Sequence, residues 1–270
     1  MGAFRKPLAF LKRDFLINSS YKAAFLFQYG SIVFSVLTFF FIAKLFGKNV
    51  SSYLVEYGGD YFSFVLIGIA FYGYLSTAMG SFTEAIGKEQ SCGTLEVLLL
   101  TPTKISHIIG YGALWNFFFT SLNVLVYILL GILFFHFPIA KINLPAVIII
   151  LILTIISFSS LGIISASFIL VLKRADPINW LFSGVSRFLG GVYFPISILP
   201  GWVQRISRFL PITYSLEGMR KAMLLGSSIK DIWPDISALI LFSVIFLPLS
   251  IWGFKFAINK AKKQGSLIYY

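Results

Sequence analysis

Six long apolar runs constrain the fold of this chain more than any other feature of its sequence. Each run falls within or above the range of about 17–25 residues that a helix needs to cross a bilayer. Of the 270 residues, 58% are hydrophobic and only 12% are charged, more apolar surface than a soluble domain of this length can bury. The sequence therefore predicts an all-α membrane protein with six transmembrane helices, near Ala23–Phe46, Tyr61–Phe82, Ile105–Phe137, Leu144–Leu172, Ile178–Phe194 and Ala238–Ala257.

The basic residues predict how these helices are oriented. The formal net charge is +12, and Lys and Arg gather at the ends of the apolar runs, as they do on the cytoplasmic side of membrane proteins. They precede the first run, follow the sixth, and lie between the fourth and fifth as Lys173 and Arg174. With six crossings these flanks share one side, so both termini are predicted in the cytoplasm and the chain in the cytoplasmic (inner) membrane. This distribution argues against nucleic acid as the partner.

The first 22 residues predict an amphipathic helix that lies in the inner interface. Apolar residues recur there at helical spacing, while basic residues lie off that row and can face anionic headgroups. The apolar row is Phe4, Leu8, Leu11 and Phe15, and the basic residues are Arg5, Lys6, Lys12 and Arg13. A solvated segment leading into the first span is the alternative.

Residues 195–237 do not read as an ordinary outer loop, although six crossings place them outside. They hold basic residues that the orientation rule disfavours there, together with apolar residues such as Trp202 and Phe209. Prolines interrupt the segment at positions 195, 200, 211 and 234. We expect short broken helices that dip into the outer leaflet. A longer soluble extracellular loop is the alternative.

The sequence contains no recognisable energy source of its own. It has no Gly-x-x-x-x-Gly-Lys-Ser/Thr loop for ATP, and neither a His-Glu-x-x-His nor a Gly-x-Ser-x-Gly motif. His107 and His136 share no metal-ligand spacing, so they are interpreted as polar span ends rather than zinc ligands. Acidic residues lie at span ends, whereas an ion-coupled transporter usually keeps one near the midplane. No catalytic or metal-binding residue is predicted, and Cys92, the only cysteine, cannot form an internal disulfide.

The charged segment Lys88–Pro102 between the second and third runs predicts a short helix on the cytoplasmic surface. Thr94 is a good N-cap residue, and Glu96 in the first turn complements the helix dipole. Gly93 permits a sharp turn before the cap, and Pro102 ends the helix. A tight loop between two spans is the alternative.

Two motifs in this chain resemble those of a known family. Glu89, Gly93-Thr94-Leu95-Glu96, Leu99 and Thr101-Pro102 resemble the signature of ABC type-2 transporter permeases, the daunorubicin-resistance-like branch in particular. A second match covers Gly191–Trp202 and Phe209–Arg220, in the expected order. The resemblance extends over nearly the whole chain. The chain departs from the pattern at Ser91-Cys92, where family members often carry a charged or aromatic residue.

The resemblance implies a half-transporter that contains no cofactor. Two copies of the chain, a homodimer, would pair around a central path, and each would dock on a separate cytoplasmic ABC ATPase subunit that binds ATP and Mg. The residues implied in ATPase coupling are Glu89, Gly93, Thr94, Leu95, Glu96, Thr101 and Pro102. Those implied in an outer gate of re-entrant helices are Phe194, Pro195, Leu199, Pro200, Trp202, Pro211, Tyr214, Glu217 and Arg220.

On this interpretation the chain is a single transmembrane domain, 1–270. Its segments are 1–22 (interfacial helix), 23–82 (spans one and two), 83–104 (cytoplasmic coupling segment), 105–194 (spans three to five), 195–237 (outer re-entrant region) and 238–270 (span six and cytoplasmic tail).

The cargo path is expected to use residues of the second and fifth spans. The candidates are Phe71, Tyr72, Tyr74, Arg187, Phe188 and Tyr193. An aromatic lining suits a hydrophobic or amphipathic cargo, such as a drug, lipid or glycolipid, better than a small ion. The alternative is that these aromatic residues only pack or anchor the helices. Arg187, and Arg205 or Arg208 outside, could meet an anionic headgroup or simply snorkel to the interface.

The sequence thus favours the permease subunit of an ATP-driven exporter. An ion-gradient-driven transporter or channel without an ATPase is the alternative. A membrane scaffold for a partner enzyme is a third hypothesis.

Overall fold

The computed structural model describes residues 5–20, 22–46, 53–91, 105–135, 137–138, 141–172 and 177–263. Within these ranges there are nine α-helices and no strand. They are α1 Arg5–Ser20, α2 Lys22–Phe46, α3 Tyr61–Ser91, α4 Ile105–Phe135, α5 Leu144–Leu172, α6 Pro177–Leu189, α7 Gly201–Ser207, α8 Pro211–Arg220 and α9 Trp233–Lys263. Residues 53–57 and Ile196–Ile198 form 3-10 turns, and Lys221–Leu225 forms one π turn.

Five of the six predicted runs coincide with helices that are long and apolar enough to cross a membrane, counted over the described residues. Their apolar stretches are Leu26–Phe46, Tyr61–Ala85, Ala113–Phe135, Leu144–Ile169 and Trp233–Lys260. The last helix begins at Trp233 rather than near Ala238, so it takes in five residues that the sequence assigns to the outer region. The chain is therefore a multi-pass, all-helical membrane protein.

The fifth predicted run, Ile178–Phe194, differs from the prediction. Helix α6 has 13 residues, so it is about 20 Å long and shorter than the hydrocarbon core of about 30 Å. It ends before Gly190 and Gly191, and Gly191 takes the left-handed φ of 75° that commonly stops a helix. A single helical span over this run is therefore not confirmed.

The chain nevertheless returns across the bundle at this point. Helices α5 and α9 run parallel, because Ser157 contacts Ser243 (2.8 Å between hydroxyls) and Ala166 packs near Phe254 and Ala257. The chain between two parallel neighbours must run back.

Contacts with α3 trace that return. The Tyr72 hydroxyl donates to the Ser183 carbonyl (2.9 Å), and further along the chain the Val192 carbonyl lies beside Gly68. As the chain advances from Ser183 to Val192, its contacts on α3 move back from Tyr72 to Gly68. Helix α6 and the residues after it therefore run antiparallel to the central helix α3.

The two ends of the bundle differ in what they contain. The first, called here the short-helix end, holds residues 53–60, 141–143 and 190–232. The second, called here the α1 end, holds α1, the starts of α2 and α4, and the ends of α3, α5 and α9. Phe15 of α1 meets Trp115 of α4 edge-on at 6.0 Å. The start of α2 and the end of α9 therefore lie at the same end of the molecule.

At the short-helix end, polar side chains cap the first turns of two spans. Asp60 accepts hydrogen bonds from the backbone N–H groups of Phe62 and Ser63 at 3.3 and 3.0 Å, as an N-cap residue does. Asn143 accepts one from the Ala146 N–H at 3.3 Å. It also donates to the Ser227 carbonyl at 2.9 Å, which ties the start of α5 to the short helices.

Helix α3 is the centre of the fold. Its apolar span is 78% buried, against 11% to 39% for the other four. Polar pairs join it to α4: the Tyr74 hydroxyl donates to Ser121 at 2.8 Å, and the hydroxyls of Thr77 and Thr120 form a hydrogen bond at 2.5 Å. The remaining spans present large apolar side chains outward, as helices solvated by lipid do.

Candidate functional site

A cavity of about 430 Å³ opens at the short-helix end. The 3-10 turn contributes Glu56 and Tyr57 to its wall, α7 contributes Gln204, and the residue after α7 contributes Arg208. Helix α8 contributes Thr213, Tyr214, Glu217 and Arg220, and the break after α6 contributes Gly190 and Pro195–Ser197. The cavity therefore lies between the first loop of this end and the short helices that precede α9.

Side chains satisfy the backbone carbonyls that the broken helices leave unpaired. Gln204 donates to the Leu199 and Ser197 carbonyls at 2.8 and 3.2 Å. Thr213 donates to the Ser207 carbonyl at 2.7 Å, and the Tyr214 hydroxyl donates to the Arg208 carbonyl at 2.9 Å. Such pairing lets irregular backbone exist near a membrane. Pro211 is the first residue of α8. A backbone N–H at this position would have no partner within the helix, so proline costs no hydrogen bond there.

Arg220 is the most deeply buried charge in the described structure, with 3% of its surface exposed. Its Nε donates to the Phe64 carbonyl at 3.2 Å, and its Nη2 donates to the Val192 carbonyl at 3.1 Å. The guanidinium carbon lies 3.4 Å from the centre of the Phe64 ring, a cation–π contact. Arg220 thus connects α8 to the central helix and to the segment after α6.

Burial and the neighbouring acidic groups shift the pKa of Arg220 in opposite directions. Burial lowers the pKa of Arg220 to about 9, while Tyr57 and Glu217 act against that shift. The guanidinium therefore keeps its charge at neutral pH.

Gly68 permits this arrangement. A Cβ at position 68 would lie 2.1 Å from the Val192 carbonyl oxygen and 2.8 Å from Nη2 of Arg220. The first atom belongs to the backbone and cannot turn aside. Only glycine lets the Val192 carbonyl approach α3 closely enough to accept from Arg220.

Lys221 joins the short helices to α9 through two carboxylates. Its Nζ lies 3.0 Å from Asp235 and 3.5 Å from Glu217. Burial lowers the pKa of Lys221, but Glu217 and Asp235 raise it by more, so the net shift is upward. The pair with Asp235 is half-buried and connects the short helices to the first turn of α9.

Tyr57 is held in the wall by its ring and not by its hydroxyl. The ring packs edge-on against Phe64, with centroids 5.1 Å apart. Its hydroxyl has no hydrogen-bond partner among the described residues. The side chains of Glu56 and Arg208, also in the wall, form no ion pair with any described residue. Burial and the nearby Glu217 raise the pKa of Tyr57, so the phenol stays protonated.

The cavity brings together four of the residues predicted for the outer gate: Pro195, Tyr214, Glu217 and Arg220. The others are not among the lining residues: Trp202 is 65% exposed, and Pro211 is buried. Their part in a gate stays a prediction.

Sequence reasoning missed Glu56, Tyr57 and Gln204. The first two precede the Gly58-Gly59 pair, both with positive φ, and that pair is a turn signal near the start of a span.

The cargo-path candidates lie in different environments. Phe71, Tyr72 and Tyr74 are core residues with 5% to 8% exposure. The guanidinium of Arg187 lies 4.8 Å from the centre of the Tyr72 ring. Phe188 is 61% exposed, whereas Tyr193 is half-buried and stacks on Phe39 at 5.4 Å. Their contact with cargo stays a prediction.

Most of the predicted coupling residues lie outside the described residues. These are Gly93, Thr94, Leu95, Glu96, Thr101 and Pro102. Glu89 is within the last turns of α3. The described parts of the chain contain no group of three or more His, Cys, Asp or Glu placed to hold a metal ion.

Comparison with known proteins identifies a family and several relatives. The family model described as ABC-2 family transporter protein matches residues 41–252. The inner membrane transport permease YadH of Escherichia coli (strain K12) is 25% identical over 214 residues, covering 78% of this chain and 80% of that protein. The permease of the same name from Shigella flexneri matches to the same extent. The match with the family model includes all the cavity residues, and this chain belongs to the ABC-2 family of transporter proteins.

Proposed function

We propose that this chain is the permease subunit of an ATP-driven exporter in the inner membrane. Two copies would pair around a path for a hydrophobic or amphipathic cargo, and each would dock on a separate ABC ATPase that binds ATP and Mg. The observation that carries the proposal is the family match over residues 41–252, which includes both motif segments. The relatives named as inner membrane transport permeases support the membrane and the role.

The lengths of α3 and α4 support a contact with a soluble motor. The apolar part of α3 ends at Ala85 but the helix continues to Ser91, so about 9 Å of helix extends past it. Helix α4 begins at Ile105, eight residues or about 12 Å before its apolar part at Ala113. Both helix ends adjoining residues 92–104 therefore extend beyond the apolar span, where a soluble partner has access.

Helix α1 lies at the same end of the bundle and supports the same orientation. Leu8, Phe15 and Leu16 are 56% to 61% exposed, although Phe15 also touches Trp115. An amphipathic helix with this exposure suits the membrane interface beside a docked ATPase.

The proposed mechanism is a switch between two rigid arrangements. Closure of the two ATPases on ATP would push the segments around Thr94–Leu100 and so move α3 and α4 together, because the Tyr74–Ser121 and Thr77–Thr120 pairs join these helices. A ligand that binds only one arrangement biases the equilibrium toward it. The cavity and Arg220 at the opposite end would respond through α3, which carries both Thr77 and Phe64.

Coupled hydrolysis tests the proposal. The full chain is reconstituted with its ATPase, and hydrolysis is measured with and without an amphipathic cargo. We expect Thr94→Pro and Glu96→Ala each to lower cargo-stimulated hydrolysis by at least about fivefold, a typical coupling effect, with insertion unchanged. Glu84→Ala, at an exposed carboxylate of α3 near the same end, serves as the matched control and should behave as wild type.

Two results would contradict the proposal. One is unchanged coupling in both variants. The other is transport by the chain alone down an ion gradient, which would favour the ion-driven alternative.

A further inference from the structure

Helix α7 and the two residues after it, Arg208 and Phe209, present three different faces at the short-helix end. Val203 and Ser207 are buried. Gln204 and Arg208, one turn apart, line the cavity. The third face consists of exposed apolar residues at helical spacing: Trp202 at 65%, Ile206 at 43% and Phe209 at 78% exposure.

An exposed apolar row of this kind suits the membrane interface. Aromatic side chains concentrate at the level of the lipid headgroups. The row therefore places α7 against lipid, with the cavity on the adjacent side of the same helix.

The cavity carries two charges of each sign. Arg208 and Arg220 are positive, and Glu56 and Glu217 are negative. Arg220 lines the cavity, and its hydrogen bonds go to the carbonyls of Phe64 and Val192 rather than to a carboxylate.

Three polar groups in the wall remain available to a ligand. The Glu56 carboxylate, the Tyr57 hydroxyl and the Arg208 guanidinium have no hydrogen bond or ion pair within the described part of the chain. Together they supply a negative acceptor, a neutral donor and a positive donor. The volume of about 430 Å³ lies in the ordinary range of small-ligand sites, about 300–1,000 Å³.

We propose that this cavity binds a zwitterionic amine–phosphate group, with the phosphate on Arg208 and Arg220 and the ammonium on Glu56 and Glu217. Phosphoethanolamine, on a lipid or free, has this chemistry. An anionic headgroup that lacks the amine would leave the Glu56 carboxylate unpaired and facing a like charge, which disfavours it. The inference goes beyond transport, because it holds for the permease without its ATPase.

The structure also separates two arginines that the sequence could not distinguish. Arg205 and Arg208 are both exposed and three residues apart, but only Arg208 lines the cavity. Arg205→Gln is therefore a matched control for Arg208→Gln. For the carboxylate, Glu84→Gln at the opposite end is the control for Glu56→Gln.

Lipid retention tests the inference. The purified full chain is equilibrated in micelles with equal amounts of phosphatidylethanolamine and phosphatidylglycerol, washed, and its retained lipids are counted by native mass spectrometry. We expect a preference for phosphatidylethanolamine that falls about tenfold in Arg208→Gln and in Glu56→Gln, the effect of losing one charge-assisted hydrogen bond. Both control variants should keep the preference.

A second arm identifies the source of the ligand. Free phosphoethanolamine is titrated into the chain in phosphatidylglycerol micelles and its binding is measured by calorimetry. Binding of the free compound without lipid preference would assign the cavity to a water-soluble amine–phosphate. Equal retention of the two lipids together with no binding of the free compound would overturn the proposal. So would Arg208→Gln behaving as Arg205→Gln in both arms.

Discussion

Arg220 is a buried cation bonded to backbone carbonyls of two distant segments rather than to a carboxylate. Its position in the outer region follows from the resemblance of Phe209–Arg220 to a family motif. Its partners do not, because the carbonyls of Phe64 and Val192 leave no trace in the side-chain sequence. Gly68, equally, reads as one small residue in an apolar span, although a side chain there would collide with Val192.

Substitution of Gly68 tests this contact at the residue scale. Gly68→Ala should lower the unfolding free energy by about 1–3 kcal/mol, the usual cost of overpacking, because the new Cβ meets a backbone oxygen. The midpoint of thermal unfolding in detergent measures it. Gly73→Ala is the control on the same helix, since its Cβ would make only an ordinary 3.6 Å contact with Thr120. Equal midpoints for the two variants would contradict the arrangement.

At the scale of elements, the long apolar helices could be predicted from composition and length, and α6 could not. A run of apolar residues predicts burial in lipid, but it does not say that Gly190-Gly191 will end the helix after 13 residues. The three faces of α7 were likewise hidden, because a seven-residue helix is too short for a periodic pattern to stand out. The parallel packing of α5 and α9 depends on pairs such as Ser157 and Ser243, which look like any polar residues within a span.

A double-mutant cycle tests the packing of α5 on α9. The Ser157 hydroxyl bonds Ser243 and, at 3.2 Å, the Leu239 carbonyl. Ser157→Ala and Ser243→Ala should show a coupling energy of about 0.6 kcal/mol, the typical value for hydroxyl pairs between membrane helices. Steric trapping or unfolding in mixed micelles measures it. Ser160→Ala paired with Ser243→Ala is the control, because among the described residues the Ser160 hydroxyl bonds its own helix at Ile156 and not α9. Coupling in the control pair alone would refute the packing.

At the scale of the whole molecule, the charge pattern and the fold agree on where the two ends of the chain lie. Basic flanks predict that both termini share a side, and the structure places the start of α2 and the end of α9 at the same end of the bundle. The cavity lies at the other end, which the proposal assigns to the outer surface. Family membership makes an ATPase partner the natural source of energy for a chain that has no nucleotide loop in its sequence.

Labelling of Cys92 tests that account most directly, because it is the only thiol in the chain and lies in the predicted coupling segment. A membrane-impermeant maleimide is applied to right-side-out and inside-out vesicles, with and without the ATPase. Cys92→Ser gives the background, and Cys92→Ser with Lys230→Cys places a thiol at an exposed position of the short-helix end. The account predicts that Cys92 reacts only from the cytoplasmic side and that the ATPase protects it, while position 230 reacts only from outside. Labelling of Cys92 from outside, or the same cytoplasmic labelling with the ATPase bound, would contradict it.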